Sequence, residues 1–547
     1  MRKIPFIFFL LCGFVFHGFA QNNSNSSLPL IVGIVVQQMR YDAIARYSAT
    51  MSDNGFLRLL TKGAVCNNAY YEYMITEPAP GYATIFTGAN PVNHGIIADT
   101  WYDRVSKKYV PCIQDTRYRA VGSESETGQV SPLSLLGTTL GDEMKLSNFK
   151  QSKVFCVSYN NYGAVIPAGK LGDCAYWVDE KTGGFITSSY YKNELPEWVK
   201  TFNSINFPSQ YLERGWFTLK NMNEYKASLP DNSFYENGIV GKSTFPYNLK
   251  QMNTAGDYKI LRYTPYANEY VKDFVLNLIE SEDIGKDNFT DLVVINFSAA
   301  GYASDVFGIR SVELEDIYLR LDNDIATILT RLDQRLGRGN YIVFLTSDRG
   351  SSDTPLFLQD MGMSGKKIDV KHYMTLLNAY LRALYGDEKW VDKYFNRQVY
   401  LNRLAIERHK LSLKEVQDMA SQFLLEIEGI SDAVPASALL ENHSLTGIWK
   451  QAVNSFNRKR SGDIIINLEP GWYEIGENTS EFSLSAQNSP YNHDTHVPLI
   501  FYGRGINKLS VSRKISTADI TPTLCTILKI LSPDCSSGQA VYEVVDY

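Results

Sequence analysis

Short apolar runs alternate along the chain with longer segments of helical periodicity. The runs are Leu30–Val36 (LIVGIVV), Val154–Ser158 (VFCVS), Leu292–Phe297 (LVVINF), Tyr341–Leu345 (YIVFL) and Val497–Phe501 (VPLIF). They are apolar on both faces, which is typical of buried parallel strands covered by helices on two sides. Residues Glu313–Leu336 place apolar side chains every three or four positions, which predicts a helix. The alternation predicts an α/β fold with one doubly wound, mostly parallel sheet and helices on both faces.

Two stretches interrupt this alternation. Residues 172–267 are rich in aromatic and turn-forming residues, and residues 356–457 have a mostly helical pattern. We interpret both as insertions that decorate a single core spanning residues 29–547. In an open α/β sheet, ligands bind beyond the carboxyl ends of the strands, so the residues that follow each strand are the candidates for chemistry.

The N-terminus has the order of a secretory signal peptide. Arg2 and Lys3 precede an apolar run, and Gly18-Phe19-Ala20 offers a cleavage site of mostly small residues. The run is shorter than the roughly 20 residues that a spanning helix needs. We therefore expect a signal peptide over residues 1–20, a polar leader over 21–28, no transmembrane anchor, and export to the periplasm or the extracellular space.

The amino-acid composition limits the classes of partner that the protein can bind. The 547 residues are 44% hydrophobic, enough for a large core. Removal of the signal takes away two cations and no acids, which moves the formal charge from -6 to -8 and argues against a nucleic-acid partner.

Of the seven cysteines, Cys12 leaves with the signal. In an oxidising compartment the other six have three candidate pairings, with connectivity left open. The pairings are Cys525 with Cys535, Cys156 with Cys174, and Cys66 with Cys112.

Eight short sequence motifs carry a resemblance to a known protein family. They are VVQQMRYD (Val35–Asp42), ATIFTGANPVNHGI (Ala83–Ile96), WYDR (Trp101–Arg104), VIPAG (Val165–Gly169), YLRLDND (Tyr318–Asp324), YIVFLTSDRG (Tyr341–Gly350), KRSGDI (Lys459–Ile464) and HDTHVPLIF (His493–Phe501). In this order the chain resembles the alkaline phosphatase superfamily, and within it the secreted phosphate-irrepressible alkaline phosphatases of Bacteroidetes. The likeness covers nearly the whole mature chain.

The resemblance implies two zinc ions held by six protein ligands, but several ligand positions are changed. The six positions fall on Gln37, Gly301, Asp305, Asp348, Arg349 and His496. Gln37 is a neutral amide, Gly301 has no side chain, and Arg349 is a cation, so none of the three suits zinc. Asp305 and His496 would serve one zinc ion and Asp348 the other, so neither ion keeps its ligand set.

The catalytic positions implied by the family are changed as well. The nucleophile position is Pro78, which has no hydroxyl group to activate. The Asn that steadies the phosphoryl oxygen falls on Asp99, and the Lys and Arg of the phosphate site fall on Asn160 and Tyr162. Glu77, next to Pro78, could act as a base, but nothing in the sequence assigns it a partner.

Two expectations concern the altered metal pocket. Arg349 is expected to neutralise Asp348 or Asp305 as a substitute cation, the alternative being a side chain that points to solvent. Asp305, His496 and His493, with Asp494 nearby, could form a residual single-metal site. The alternative for His496 is a hydrogen-bonded structural role.

Two functions follow from the resemblance. The favoured one is an exported, catalytically inactive protein that needs no cofactor and keeps the scaffold for a binding or structural role, with a glycan, a peptide or an envelope protein as its partner. The alternative is a zinc-dependent alkaline phosphatase or phosphodiesterase that hydrolyses phosphate esters with a rearranged site. The sequence contains no Ser-His-Asp or Cys-His arrangement for a metal-free hydrolase.

Overall fold

A computed structural model describes residues 28–441, 446–475, 484 and 488–545. The expected signal peptide, and the leader as far as residue 27, lie outside the described residues. Within these ranges, none of the helices combines the length and the apolar character needed to cross a membrane.

The strands of the described residues follow the predicted apolar runs and add several shorter elements. In chain order they are β1 (Leu30–Val36), β2 (Ala64–Tyr70), β3 (Thr100–Asp103), β4 (Lys108–Pro111), β5 (Ala120–Val121), β6 (Val154–Ser158), β7 (Cys174–Val178), β8 (Phe185–Ser188), β9 (Asp291–Phe297), β10 (Ile342–Thr346), β11 (Lys367–Asp369), β12 (Val391–Phe395), β13 (Gln398–Leu401), β14 (Ile430–Pro435), β15 (Ile464–Leu468), β16 (Tyr473–Ile475), β17 (His496–Gly503), β18 (Ser510–Val511) and β19 (Ile515–Ser516).

The helices, apart from short 3-10 turns, are distributed between these strands. They are α1 (Ala43–Tyr47), α2 (Phe56–Lys62), α3 (Pro78–Thr87), α4 (Pro91–His94), α5 (Leu140–Ser147), α6 (Tyr162–Ala168), α7 (Glu197–Ser204), α8 (Phe207–Arg214), α9 (Leu249–Met252), α10 (Tyr266–Ser281), α11 (Ala299–Phe307), α12 (Val312–Leu336), α13 (Pro355–Asp360), α14 (Val370–Tyr385), α15 (Arg403–Arg408), α16 (Leu413–Leu425), α17 (Ala436–Glu441), α18 (Gly447–Ser455), α19 (Asn492–Thr495) and α20 (Ile520–Leu528).

The central sheet has the strand order β18-β2-β17-β10-β1-β9-β6-β7-β8-β5, with β19 also paired to β2. Its middle strands, from β10 to β7, run parallel. Alternate residues of β1 enter two hydrophobic clusters: Val32 packs on the side of α10 and α12, and Ile31 on the side of α3 and α6. The predicted α/β class and doubly wound, mostly parallel sheet are confirmed.

One predicted strand direction is wrong. The last apolar run forms β17, which lies antiparallel to both β10 and β2. A buried run is apolar on both faces whichever way it points, so the pattern carries no information on its direction. The predicted helix is present as α12, which begins after the N-cap Ser311 and ends at Gly337, where φ is 91°.

The two interrupting stretches differ in structure. Residues 172–267 include β7 and β8, which belong to the central sheet rather than to a decoration outside it. Residues 356–457 carry α14 and α16 together with strands of an antiparallel sheet, ordered β12-β13-β15-β14. These elements share a hydrophobic cluster of their own, and its strand β15 lies beyond the predicted boundary at residue 457.

The six cysteines of the described chain are free thiols, so the three candidate pairings do not form in this structure. Cys156 and Cys174 lie on the neighbouring strands β6 and β7, but they enter the clusters on opposite faces of the sheet. Their side chains therefore point away from each other, which a disulfide does not allow.

Candidate functional site

Polar side chains gather where β1, β9, β6 and β10 end, as the strand order predicts. Gln37 follows β1, Asn160 follows β6, Ser298 follows β9 and Asp348 follows β10. Asn160 Nδ2 donates to Ser298 Oγ at 3.0 Å and to Gln37 Oε1 at 3.2 Å. Three of the four strand ends are thus joined by one amide group.

Gln37 occupies the space that a side chain at position 301 would need. A Cβ atom placed on Gly301 would lie 2.7 Å from Gln37 Cγ and 2.9 Å from its Cδ. Gln37 is 3% exposed, and its backbone N–H donates to Phe297 O at 2.9 Å, which fixes the residue against β9. The two altered zinc-ligand positions are therefore complementary in shape.

The Asp348 carboxyl group is held by a backbone N–H group and not by a cluster of metal-ligand side chains. Its Oδ1 accepts a hydrogen bond from Gln38 N at 2.7 Å, and Gln38 has a φ of 61°, in the left-handed region. Its Oδ2 is buried and has no hydrogen-bond partner among the described residues. Burial raises the pKa of the Asp348 carboxyl to about 6, against the opposing charge of Arg349.

Arg349 lies inside the protein with 4% of its surface exposed, so the alternative in which it points to solvent is wrong. Burial alone would lower the pKa of its guanidinium group. The charges of Asp348, Asp305 and Asp99 act in the other direction and raise it above its ordinary value. Arg349 is therefore close enough to these carboxyl groups to compensate their charge.

Pro78, at which the resemblance implies the nucleophile position, begins helix α3. Pro78 is the first residue of this helix, where a missing N–H costs nothing, and Glu77 is its N-cap residue. Glu77 Oε2 accepts from Asp99 N at 2.5 Å, and Asp99 Oδ1 accepts from Ala79 N at 2.7 Å. Burial, aided at Glu77 by the charge of Asp99, raises the pKa of both carboxyl groups. The helix N-terminus thus binds a carboxyl group of the protein itself.

The two former cationic positions now hold neutral side chains in the same region. Asn160 makes the amide contacts described above, and Tyr162 begins α6 with its ring centroid 6.3 Å from that of Tyr82. Burial raises the pKa of the Tyr162 phenol well above its ordinary value, so it stays neutral.

His496 is held by aromatic rings. It stacks between Tyr41 and Tyr70, with centroid distances of 4.0 and 4.3 Å, and its Nε2 lies 2.9 Å from Asn67 O. His493 Nε2 lies 3.2 Å from Ser489 Oγ, whose hydroxyl donates to Asp494 Oδ2 at 2.5 Å. His496 thus has the hydrogen-bonded structural surroundings named as the alternative.

Asp305 lies on α11, and its backbone oxygen accepts from Leu484 N at 3.0 Å. The part of the chain that is described contains no group of three or more His, Cys, Asp or Glu side chains able to hold a metal ion. The structure therefore does not gather Asp305, His493 and His496 into a metal-binding cluster.

The donor set does not fit the two zinc ions that the fold implies. Zinc sites in proteins use thiolates, imidazoles and carboxylates, usually three or four at each ion. Here the amide of Gln37 fills the space beside Gly301, a guanidinium replaces one imidazole, and the remaining imidazole of His496 lies between two tyrosine rings.

A cavity next to this site was missed from the sequence. It has a volume of about 540 Å³, lies between α14 and β12, and reaches Glu77 and Asn488. Two consecutive residues with positive φ, Asn396 and Arg397, connect β12 to β13 at its edge. An Asn at the start of a two-residue loop between β-rich runs is a hairpin signal, which the helical interpretation of this stretch had hidden.

The fold and the site positions together define a phosphoesterase scaffold of the alkaline phosphatase superfamily. A family model for type I phosphodiesterase / nucleotide pyrophosphatase matches residues 31–497. The chain belongs to this family.

Individual relatives agree with this assignment. The chain is 36% identical over 521 residues to a protein of Myroides odoratus named a calcium-transporting ATPase, with 94% of each chain covered. It is 35% identical over 536 residues to alkaline phosphatase PafA of Elizabethkingia meningoseptica, with 96% of each covered. The crystal structure of wild-type PafA matches with a TM-score of 0.89 and 34% identity, covering 94% of this chain and 99% of that one.

Proposed function

We propose that this protein is an exported, non-hydrolytic member of its family that uses the phosphoesterase scaffold to bind a ligand. The observation that carries the proposal is the contact between Gln37 and Gly301, because the Gln37 side chain fills the space that a zinc ligand at position 301 would need. Export is supported by the pattern of residues 1–20, which lie outside the described residues.

The N-terminus of helix α3 supports the same proposal. In a phosphoryl-transfer site, the N–H groups at a helix N-terminus are suited to bind a phosphate. In this chain Asp99 occupies the N–H of Ala79, and a second buried acid, Glu77, lies against it. A phosphate ester placed here would meet two carboxyl groups and no hydroxyl nucleophile, since Pro78 begins the helix.

Arg349 supplies the charge balance that zinc would otherwise provide. Buried carboxylates without a counter-charge are costly, and Arg349 is fully charged at any physiological pH. We propose that it stabilises the pocket by neutralising Asp348 and Asp305, whose charges act on it.

The test is hydrolysis of 4-nitrophenyl phosphate and bis(4-nitrophenyl) phosphate by the mature protein with excess zinc. We expect no turnover above background, because loss of nucleophile and ligands together removes many orders of magnitude in rate. The comparison is a variant with Gln37→Asp, Gly301→Asp, Arg349→His and Pro78→Thr. A matched control keeps Pro78 and carries only the other three substitutions.

Each outcome separates the two functions. Zinc binding by both variants, with turnover only in the one that carries Pro78→Thr, would support the assignment of the lost positions. Zinc-dependent turnover by the unaltered protein, abolished by a chelator, would overturn the proposal. It would instead establish the alternative, a zinc phosphoesterase with rearranged ligands.

A further inference from the structure

The cavity between α14 and β12 has the dimensions of a ligand site. Its volume of about 540 Å³ lies within the range of roughly 300–1,000 Å³ that is typical of small-molecule pockets. We propose that it binds a short saccharide bearing carboxylate groups. This inference rests on the proposed binding role and names the ligand class for it.

Cationic side chains surround the cavity. They are Arg382, Lys389 and Lys393. Two of the acidic side chains in the lining are bound elsewhere: Glu474 lies 3.1 Å from Arg397, and Asp392 Oδ2 accepts from Tyr102 OH at 3.2 Å. Arg382 pairs with Asp387 at 3.4 Å; the Asp387 side chain is 93% exposed, and such a pair is weak in water. The cavity therefore favours an anionic ligand.

The inner end of the cavity favours hydroxyl groups. Asn488 Nδ2 donates to Glu77 Oε1 at 3.1 Å and to Asn396 Oδ1 at 3.0 Å. The other two amide atoms, Asn488 Oδ1 and Asn396 Nδ2, are buried and have no hydrogen-bond partner among the described residues. One is an acceptor and the other a donor. A sugar hydroxyl can serve both at once, because it donates one hydrogen bond and accepts others.

The remaining wall is apolar and aromatic. Met374, Val391, Phe395 and Ile475 line it, and the Phe395 ring lies 4.7 Å from that of Tyr109. Lys393 Nζ lies 5.2 Å from the centroid of Tyr109. A pyranose ring presents an apolar C–H face together with hydroxyl groups, and its carboxylate would meet the lysines. A saccharide acid therefore complements all three parts of the cavity: the cationic side chains, the buried amide groups and the apolar wall.

The test is isothermal titration calorimetry of the mature protein with trigalacturonate and with its neutral counterpart, galactotriose. We expect the acidic trisaccharide to bind about tenfold or more tightly than the neutral one, and to weaken as salt rises. The double variant Arg382→Gln, Lys393→Gln should lose about tenfold in affinity for the acid while its affinity for the neutral sugar changes less than about twofold. Asn488→Ala should weaken both.

The control is the double variant Lys250→Gln, Lys200→Gln, an equal loss of two charges at exposed lysines that pair with Glu213 and Glu197 outside the cavity. It should bind both sugars as the unaltered protein does, and circular dichroism checks that every variant folds. Equal affinity for both trisaccharides, or no heat of binding at millimolar concentration, overturns the inference. Absence of binding together with absence of phosphoesterase turnover defeats only the ligand class, whereas zinc-dependent turnover defeats the proposed function itself.

Discussion

At the scale of single residues, the side chains of the altered site pack against one another and supply each other's hydrogen-bond partners. Gln37 fills the space above Gly301, and its amide oxygen accepts from Asn160. Asp99 binds the helix end beside Pro78. These residues, which depart from the zinc phosphoesterase pattern that the resemblance implies, therefore contact one another or lie side by side.

The pair Gln37 and Gly301 should show strong energetic coupling. Gly301→Ala alone forces a Cβ to within 2.7 Å of Gln37 Cγ, and overpacking of this kind destabilises a protein by about 1–3 kcal/mol. In a Gln37→Ala background only the Cβ of residue 37 remains, 3.2 Å from the added Cβ, so the same exchange should cost less than about 1 kcal/mol. Urea denaturation of the four proteins measures the coupling. Equal costs in both backgrounds would show that the two side chains are independent.

The identities of these residues were predictable from the sequence, but their contacts were not. The resemblance assigns Gln37, Pro78 and Arg349 to changed positions by motif order along the chain alone, and this assignment stays a prediction. The stacking of His496 between Tyr41 and Tyr70 depends on β2 lying beside β17, a pairing between distant segments that no local pattern encodes.

At the scale of elements, α3 approaches the end of β10 very closely. A Cβ on Gly81, in the first turns of α3, would lie 2.1 Å from the backbone oxygen of Asp348. The helix N-terminus and the strand end can meet at this distance only because position 81 has no side chain. This contact brings the first turns of α3, which begin at Pro78, against Asp348.

Gly81→Ala should therefore destabilise the protein, by about 3 kcal/mol. Helix propensity alone would give the opposite sign, since alanine is favoured over glycine in a helix by about 1 kcal/mol. Thermal unfolding followed by circular dichroism distinguishes the two effects. A variant that melts at the same or a higher temperature would mean that α3 is free to move away from β10.

The elements differ in how far the sequence predicted them. β1 and β6 begin and end where their apolar runs do, because a strand buried on both faces has no polar positions to blur its limits. The sheet within residues 356–457 was missed, because β12 is only partly buried and stands between amphipathic helices. Its polar residues Asp392 and Lys393 interrupt the continuous apolar signal on which the other predictions relied.

At the scale of the whole molecule, buried carboxyl groups set the pH dependence of stability. Burial raises the pKa of Asp291 to about 6, of Asp324 to about 7 and of Glu313 to about 8. In the unfolded chain these groups release their protons near pH 4, whereas the folded protein keeps them to higher pH. The folded state therefore binds more protons in between, and its stability falls as pH rises from about 4 to about 8.

We expect the free energy of unfolding to decrease by several kcal/mol between pH 5 and pH 8, at about 1 kcal/mol for each group and each pH unit. Urea denaturation at intervals across this range measures the slope. Asp324→Asn removes one of the three groups and should flatten it between pH 5 and pH 7, with Asp387→Asn, at an exposed aspartate, as the control. A stability that rises with pH would contradict the assignment.

The free thiols on both faces of the central sheet have a consequence for the order of events during maturation. A thiolate is the reactive form of cysteine, and burial raises the pKa of the Cys156 thiol far above its ordinary value, so the folded protein keeps it unreactive. Cys174, on the adjacent strand, is shielded by the other helical layer. In an unfolded chain both are exposed and free to pair. In an oxidising compartment, folding must therefore be completed before thiol oxidation, because a disulfide between these two cysteines would prevent the sheet from closing.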